Sequence, residues 1–182
     1  MPELHTARLV LRPLGPADLD AVHRYASDRA LTRYMLFLPN ETREETAAFL
    51  RDAAAQWEKE KPSAYEFGVL LGDELIGAVS VYCDDELGED AGELGWVFRS
   101  EYQKRGYALE AARAVAGFAR ETLGLTRLVA HCDARNRPSA RLMERLGMTL
   151  EDAEGERTYP KTGETARELC YAMTFPGEEV NI

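Results

Sequence analysis

The residues from Gln103 to Ala108 have the types and the order of an anion-binding turn. A predicted strand ends before them at Phe98, and a predicted helix begins directly after. At a helix start, backbone N–H groups converge without intrahelical partners, and the helix dipole adds partial positive charge. Gly106 lets a ligand approach the backbone closely, and the basic pair before it adds charge. The segment indicates a phosphate or pyrophosphate site, or an ordinary helix start; it has neither the glycine spacing of a dinucleotide fingerprint nor the Gly-Lys-Ser/Thr of a Walker A loop.

A second segment with two interpretations opens the next predicted helix. Asn136 and Ser139 flank Pro138 there. Asparagine is a favoured N-cap and proline is tolerated in the first helical turn. Plain capping and contact with a ligand therefore explain the pair equally well.

Few other side chains suggest chemistry. Glu93, on a predicted strand, is a carboxylate that could accept a proton, or it could face solvent or form an ion pair. The three cysteines, Cys83, Cys132 and Cys170, are widely spaced without a CxxC pair, which indicates reduced core thiols and no zinc site or disulfide framework. The three histidines show no partner pattern and are assigned no role.

Hydrophobic periodicity places these residues in a chain of alternating strands and helices. Strands are expected at 8–13, 65–71, 75–82, 93–98, 126–132 and 168–175, and helices at 16–25, 30–35, 42–57, 107–123 and 136–147. The remainder from 148 to 164 is polar and is expected to be rich in turns. No repeat or linker divides the sequence, so residues 1–182 are expected to form one α/β (α+β) domain, with a mostly antiparallel first half.

Composition excludes several classes of protein. The chain has 182 residues, 45% of them hydrophobic, and a formal net charge of −10. Such a charge disfavours binding to nucleic acid. No apolar run is long enough for a membrane span, and the N-terminal residues do not resemble a secretion signal. These features favour a cytoplasmic protein that binds neither nucleic acid nor membrane.

Taken together, four segments resemble the GNAT superfamily of N-acetyltransferases. Its Q/R-x-x-G-x-G/A motif corresponds to Gln103–Ala108, and the segments 6–13, 92–96 and 136–148 look like its RimJ/RimL branch, which acetylates N-terminal amines of ribosomal proteins. The resemblance implies a mostly antiparallel sheet flanked by helices. It also implies that the family's splayed fourth and fifth strands form a cleft for acetyl-CoA, and that the acetyl group passes directly to a primary amine.

The resemblance also implies site residues. It places the pantetheine arm along the strand end Trp96, Val97 and Phe98, and the pyrophosphate on the backbone of Gln103, Lys104, Arg105, Gly106, Tyr107 and Ala108. Asn136 would contact the arm, Ser139 would protonate the departing thiolate, and Glu93 would be the general base. Met143 stands where many members have a tyrosine acid, which excludes that acid here.

The acceptor amine is expected opposite the cofactor. Tyr34, Phe37 and Tyr159 would form its wall, with Leu38 beside them, and the carboxylates of 151–156 and of the acidic run 84–90 favour a cationic acceptor. Three functions stay open: acetylation of a protein or peptide N-terminus, acetylation of a small amine (a polyamine, amino acid or antibiotic), and non-catalytic acyl-CoA sensing. A homodimer is common among members of the family.

Overall fold

One eight-stranded sheet organises the fold. The computed structural model describes residues 2–83 and 85–175, so Asp84 of the acidic run lies outside the described residues. The strands are β1 (Leu4–His5), β2 (Val10–Pro13), β3 (Ala64–Leu71), β4 (Glu74–Tyr82), β5 (Ala91–Phe98), β6 (Arg127–Asp133), β7 (Thr149–Thr158) and β8 (Thr165–Thr174). The helices are α1 (Leu19–Ala26), α2 (Arg43–Gln56), α3 (Tyr107–Glu121) and α4 (Arg137–Leu146). Among the described residues, no helix is long and apolar enough to cross a membrane.

The strand order is β1-β2-β3-β4-β5-β6-β8-β7. Every neighbouring pair is antiparallel except β5 and β6, which are parallel. That parallel pairing covers only three positions, Ala91 to Glu93 against Arg127 to Val129, although both strands continue beyond it. The two strands therefore diverge and leave a fork between them. The predicted fold is confirmed, and the predicted splayed pair of strands is β5 and β6 in this chain.

Side chains on the two faces of the sheet pack into two buried clusters. One face carries Phe67, Val79 and Leu94 beneath α3 and α4, and this cluster contains most of the core. The other face packs Ala78 against Tyr25 of α1 and Leu50 of α2. Because side chains alternate along a strand, Glu93 and Gly95 lie on this second face, opposite α3 and α4.

The predicted helix at 30–35 is wrong. Residues 29–34 form consecutive turns instead. The carboxylate of Asp28 accepts hydrogen bonds from the N–H groups of Ala30 and Leu31, at 2.9 and 3.0 Å. Such local side-chain bonds compete with a regular helix, and here they produce a turn between α1 and α2.

The prediction that 148–164 is mostly turns is also wrong, because 149–158 form β7. This strand is the edge of the sheet, and most of its side chains are exposed. Polar residues suit a solvated edge strand, and pairing with β8 outweighs their poor strand propensity. Thr42 caps the start of α2. Its hydroxyl accepts from Glu45 N at 3.2 Å, and the Glu45 carboxylate accepts from Glu41 N.

Candidate active site

The fork leaves one edge of β5 open. From Leu94 to Phe98 the strand pairs with β4 on one side and has passed its last pairing with β6 on the other. Phe98 is buried, whereas Trp96 and Val97 are partly exposed. An extended ligand could therefore add to this edge as a short strand, with main-chain hydrogen bonds. The open edge lies where the pantetheine arm is predicted.

The turn after β5 leads directly to the open start of α3. The side-chain amide of Gln103 donates to the Phe98 carbonyl oxygen at 2.8 Å and ties the turn to the strand end. Lys104 and Gly106 have positive φ angles of 61° and 83°, and Gly106 is the N-cap of α3. The first intrahelical bond runs from Glu110 N to Gly106 O, so the N–H groups of 107–109 have no intrahelical acceptor. This arrangement fits an anion.

An arginine that the sequence reasoning missed fastens this turn to the N-terminal segment. Arg8 donates from Nε to the Glu110 carboxylate at 2.7 Å and from Nη1 to the Arg105 carbonyl at 3.1 Å. Its guanidinium also lies over the Tyr107 ring, 4.5 Å from the centroid. The contacts join residues almost a hundred positions apart, so no local pattern could reveal them.

The basic residues near the turn are not equally available. Lys104 and Arg105 are exposed. Arg99 is buried and forms ion pairs with Glu74 at 2.6 Å and with Glu101 at 2.5 Å. Its charge is therefore neutralised within the protein, whereas Lys104 and Arg105 are available to a ligand phosphate.

The start of α4 has the capping geometry that the sequence allowed. Asn136 Oδ1 accepts from Ser139 N at 3.4 Å, and the Ser139 side chain is partly exposed. Met143 is fully buried in the core, as its apolar side chain requires. The roles of Asn136 toward a cofactor and of Ser139 as an acid stay predictions.

At the base of the fork, Glu93 is hydrogen-bonded to a histidine. His131 Nδ1 lies 2.9 Å from Glu93 Oε1, and the side chains are 26% and 36% exposed. The hydrogen bond to Glu93 raises the pKa of His131, burial opposes the rise, and the charges of Glu93 and Glu168 add to it. The sequence shows no partner pattern for the histidines, but the register between β5 and β6 brings these two side chains together.

A buried carboxylic acid lies on the same face. Glu66 is 5% exposed and accepts hydrogen bonds from Ser80 Oγ and, at 2.8 Å, from Tyr82 Oη. Burial raises the pKa of Glu66, partly offset by these two bonds. A Cβ at Gly95 would lie 3.2 Å from the Tyr82 ring, so glycine there leaves space for that ring beside Glu93.

The predicted acceptor wall is only partly accessible. Phe37 is 76% exposed. The Tyr34 carbonyl accepts from Arg157 Nη1 at 3.1 Å, which brings the α1–α2 connection against β7. Tyr159 is buried at 6% exposure, and its hydroxyl donates to Asp133 at 2.7 Å. Tyr34 and Phe37 are therefore better placed than Tyr159 to meet an acceptor.

The carboxylates predicted beside that wall are mostly paired or on the outer edge. Glu151 forms an ion pair with Arg127, and Glu154 lies 3.7 Å from Arg167. The acids on the fork's own face include Glu93, the buried Glu66 and Glu168, which is paired with Arg157 at 2.7 Å. Negative charge near the fork thus comes from different residues than the sequence suggested.

Comparison with known proteins identifies the family. The profile of the acetyltransferase (GNAT) domain matches residues 8–149. The chain belongs to the GNAT family. It is 35% identical over 173 residues to the uncharacterized N-acetyltransferase YnaD of Bacillus subtilis strain 168, covering 92% of this chain and 94% of that protein.

Two solved GNAT structures share the fold at low identity. One is RimL, the ribosomal L7/L12 alpha-N-protein acetyltransferase, in complex with coenzyme A, with a TM-score of 0.83 and 19% identity over 96% of this chain and 98% of RimL. The other is spermidine N-acetyltransferase from Vibrio cholerae with CoA and spermine, with a TM-score of 0.78 and 19% identity over 93% of this chain and 96% of that chain. One acts on a protein and the other on a small amine.

Membership of the GNAT family makes the chain an acyltransferase with acetyl-CoA as donor. The residues present fit that donor, since an open strand edge leads to a glycine turn and an open helix start. A Cβ added at Gly106 would lie 3.3 Å from Arg8 Nη2, so the turn leaves little space for a side chain at this position.

The cysteines of this GNAT chain do not resemble acyl carriers. Burial raises the pKa of Cys132 to about 11, and it also raises the pKa values of Cys83 and Cys170. A thiol attacks as its thiolate. These thiols are protonated near neutral pH, which favours direct transfer between the bound substrates.

Asp133, at the end of β6, is expected to make stability depend on acid. Burial alone would raise its pKa, but hydrogen bonds from Arg135 and Tyr159 lower the pKa to about 2. Its stabilisation is therefore present above the unfolded pKa of about 3.9 and is lost as pH falls from there toward the folded pKa. We expect Asp133→Asn to lower the free energy of unfolding by roughly 1–2 kcal/mol at neutral pH, since solvent screens half-exposed Arg135.

Urea denaturation across the acid range measures this effect. The difference between wild type and Asp133→Asn should shrink as pH falls from about 4 to about 2. Asp52→Asn, on the exposed face of α2, is the matched control and should stay within about 0.5 kcal/mol of wild type. A difference for Asp133→Asn that is constant with pH would contradict the assignment.

Proposed function

We propose that the chain, acting as one acetyltransferase domain over residues 1–182, acetylates the N-terminal amine of a protein or peptide, as the RimJ/RimL branch does. The observation that carries this proposal is the continuity of the fork: the open β5 edge leads to the free helix start on one side, and Glu93 lies at its base. With three unpaired thiols and no membrane-spanning helix among the described residues, we propose the cytoplasm as its location.

The proposed division of labour follows from this placement. The edge at Trp96 to Phe98 would hold the pantetheine arm, and the amides of 103–108 would hold the pyrophosphate. Acetyl-CoA supplies an acetyl thioester whose carbonyl carbon is open to attack. Asn136 would contact the arm, Ser139 would give a proton to the departing sulfur, and a backbone N–H near Phe98 would stabilise the charge that develops on the carbonyl oxygen.

The need for an amine base supports an N-terminal acceptor. An amine attacks only when neutral, and a terminal α-ammonium has a pKa of about 7.7–8.0, against about 10.4 for a lysine. A side-chain base removes the proton of the α-ammonium far more easily than the proton of a lysine ammonium, because the α-ammonium is the stronger acid. A site that contains Glu93 and His131 is thus suited to an α-amine.

A small cationic amine is the second candidate. The spermidine enzyme with the same fold favours it, and so do the acidic residues Glu93 and Glu66 on the face of the sheet that carries the fork's acids. In this case acceptors with an additional positive charge should react faster at low salt than neutral amines of equal basicity, and salt should reduce the advantage. Equal rates for cationic and neutral acceptors would contradict a cationic specificity.

An acceptor panel decides between the candidates. Coenzyme A release is measured with peptides that have free or blocked N-termini, with spermidine, and with free amino acids. We expect peptides with free N-termini to give kcat/KM values at least about tenfold above the small amines, a preference of ~1.4 kcal/mol. Mass spectrometry of the product should locate the acetyl group on the α-nitrogen, and the blocked peptides should be inert.

Other outcomes of the acceptor panel would each exclude one of the candidate functions. Faster turnover of spermidine than of any peptide would replace the N-terminal assignment with the small-amine one. Stabilisation by acetyl-CoA in a thermal-shift assay without turnover of any amine would indicate an acyl-CoA sensor. NAD and ATP serve as controls for the thermal shift, because a nonspecific nucleotide site would respond to them as well.

A further inference from the structure

His131 lies where the two parallel strands separate. Glu93 and Val129 form the last pair of the β5–β6 ladder, and His131 is two residues further along β6, on the same face as Val129. Its Nδ1 is 2.9 Å from Glu93 Oε1. Both side chains keep contact with solvent, so a ligand in the fork can reach them.

We propose that His131 is the group that takes the proton from the acceptor ammonium, at Nε2, and that Glu93 is its positioning residue. This inference rests on the proposed acetyl transfer and identifies the base of that same site. An ionised carboxylate can only accept a hydrogen bond, so the proton in the Glu93–His131 contact lies on Nδ1. The lone pair of the neutral imidazole is then on Nε2, and among the described residues none is hydrogen-bonded to that atom.

The neighbouring charges make this imidazole a stronger base. Glu93 from β5 and Glu168 from β8 favour the protonated ring, and Arg157 from β7 opposes it. Other titratable residues nearby are Cys170, which is opposite His131 in β8, and Tyr82, beside Glu93 in β4. Asp133 lies two residues further along β6 and is paired with Arg135, and Asp152 of β7 lies opposite Cys170.

Cys170 and Tyr82 are uncharged near neutral pH. Burial raises the pKa of the Cys170 thiol. Burial and the charge of Glu66 raise the pKa of Tyr82. The carboxylates therefore dominate the field at His131 and raise its pKa above the ordinary value, so that its neutral form gains a greater affinity for a proton.

The step balances without any further reactant. The ammonium gives one proton to Nε2 of His131, and the nitrogen lone pair then forms the C–N bond with the thioester carbonyl carbon. The C–S bond breaks, and its electron pair leaves with sulfur. The second proton lost by nitrogen ends on that sulfur, and the proton on the imidazole is released to solvent.

Two substitutions separate the roles. His131→Gln keeps a hydrogen-bond donor for Glu93 but has no basic nitrogen, so we expect kcat/KM to fall by about 100-fold or more. Glu93→Gln keeps an acceptor for Nδ1–H, so we expect a loss of about tenfold only, equal to ~1.4 kcal/mol. Acetyl-CoA affinity, measured by calorimetry, should be unchanged in both variants.

The pH profile provides a readout that a merely structural role would not change. In the wild type, kcat/KM should rise with pH through the elevated pKa of His131, because only the neutral imidazole accepts a proton. This limb should move to lower pH in Glu93→Gln, which lacks the charge that raises the pKa, and should disappear in His131→Gln. His23→Gln, whose histidine on α1 contacts Thr46 at 2.8 Å, should keep the wild-type profile.

An acceptor that is already neutral tests the base directly. With trifluoroethylamine, whose ammonium is mostly deprotonated at neutral pH, the gap between His131→Gln and wild type should nearly close. If kcat/KM falls further in Glu93→Gln than in His131→Gln, and His131→Gln keeps the rising limb of the pH profile, the base is Glu93. That result would overturn this inference but leave the proposed function intact. A wild-type protein that acetylates no amine would instead overturn the proposed function itself.

Discussion

Gly106→Ala is expected to weaken acetyl-CoA binding by about 100-fold, which is the effect of losing one or two charge-assisted hydrogen bonds. Gly106 has a φ of 83° and caps α3. A Cβ there is strained, and it would press on Arg8 Nη2 at 3.3 Å. Relief of the backbone strain or of the contact with Arg8 rotates the turn and misaligns the N–H groups of 107–109. Isothermal calorimetry with coenzyme A and acetyl-CoA measures the loss.

Gly124→Ala is the matched control for this substitution. Gly124 follows the other end of α3 with a φ of 71°, and a Cβ there would meet nothing within 4 Å. Both variants should lose about 1 kcal/mol of folding stability from the same backbone strain. Only Gly106→Ala should lose cofactor affinity, and equal affinities in the two variants would remove the pyrophosphate from this turn.

The parts of the site that depend on short stretches of chain could be predicted from the sequence. The glycine turn before α3 and the Asn136 cap are determined by residues within one helical turn of each other. Local steric and hydrogen-bonding preferences are strong there, so residue types alone place a free helix start after β5. Hydrophobic periodicity located β2, β3, β4, β5, β6 and β8 for the same reason, but it missed the short β1 and the polar edge strand β7.

The pairing of Glu93 with His131 could not be predicted in this way. It depends on the register of two parallel strands and on the position where their hydrogen bonding stops, and neither leaves a mark in the local sequence. The only available signal was a polar residue, His131, between the buried Ala130 and Cys132. That alternation indicates a partly exposed face but not which side chain lies opposite.

Long-range contacts of arginine side chains explain the remaining differences. The Arg8–Glu110 pair joins the N-terminal segment to α3, and Arg157 joins β7 to the Tyr34 carbonyl. The sequence presented the acids of β7 as a possible acceptor surface, since charge alone does not reveal a partner. Pairing with arginine removes Glu151 from that surface, and the fork's own carboxylates replace it.

Among the substitutions proposed, Gly77→Ala should lower the free energy of unfolding the most. Gly77 lies in β4, opposite Phe98 of β5, and strands usually accept alanine at small cost. A Cβ at this glycine would overlap the Val97 carbonyl oxygen and would lie 2.8 Å from Phe98 Cδ1. The first of these is backbone and cannot rotate away, so the β4–β5 ladder itself must move. We expect a loss of about 3 kcal/mol in the free energy of unfolding, the upper end of overpacking costs.

Thermal and urea denaturation measure this loss, which corresponds to a fall in Tm of roughly 6–12 °C for a chain of this size. Gly117→Ala is the control, because a Cβ in that part of α3 meets nothing within 4 Å, and alanine should raise helix stability by up to about 1 kcal/mol. The displaced atoms at position 97 belong to the strand edge proposed for pantetheine. Gly77→Ala should therefore also weaken acetyl-CoA binding, whereas a stable variant with wild-type affinity would show that the β5 edge tolerates a shift and does not set the cofactor's register.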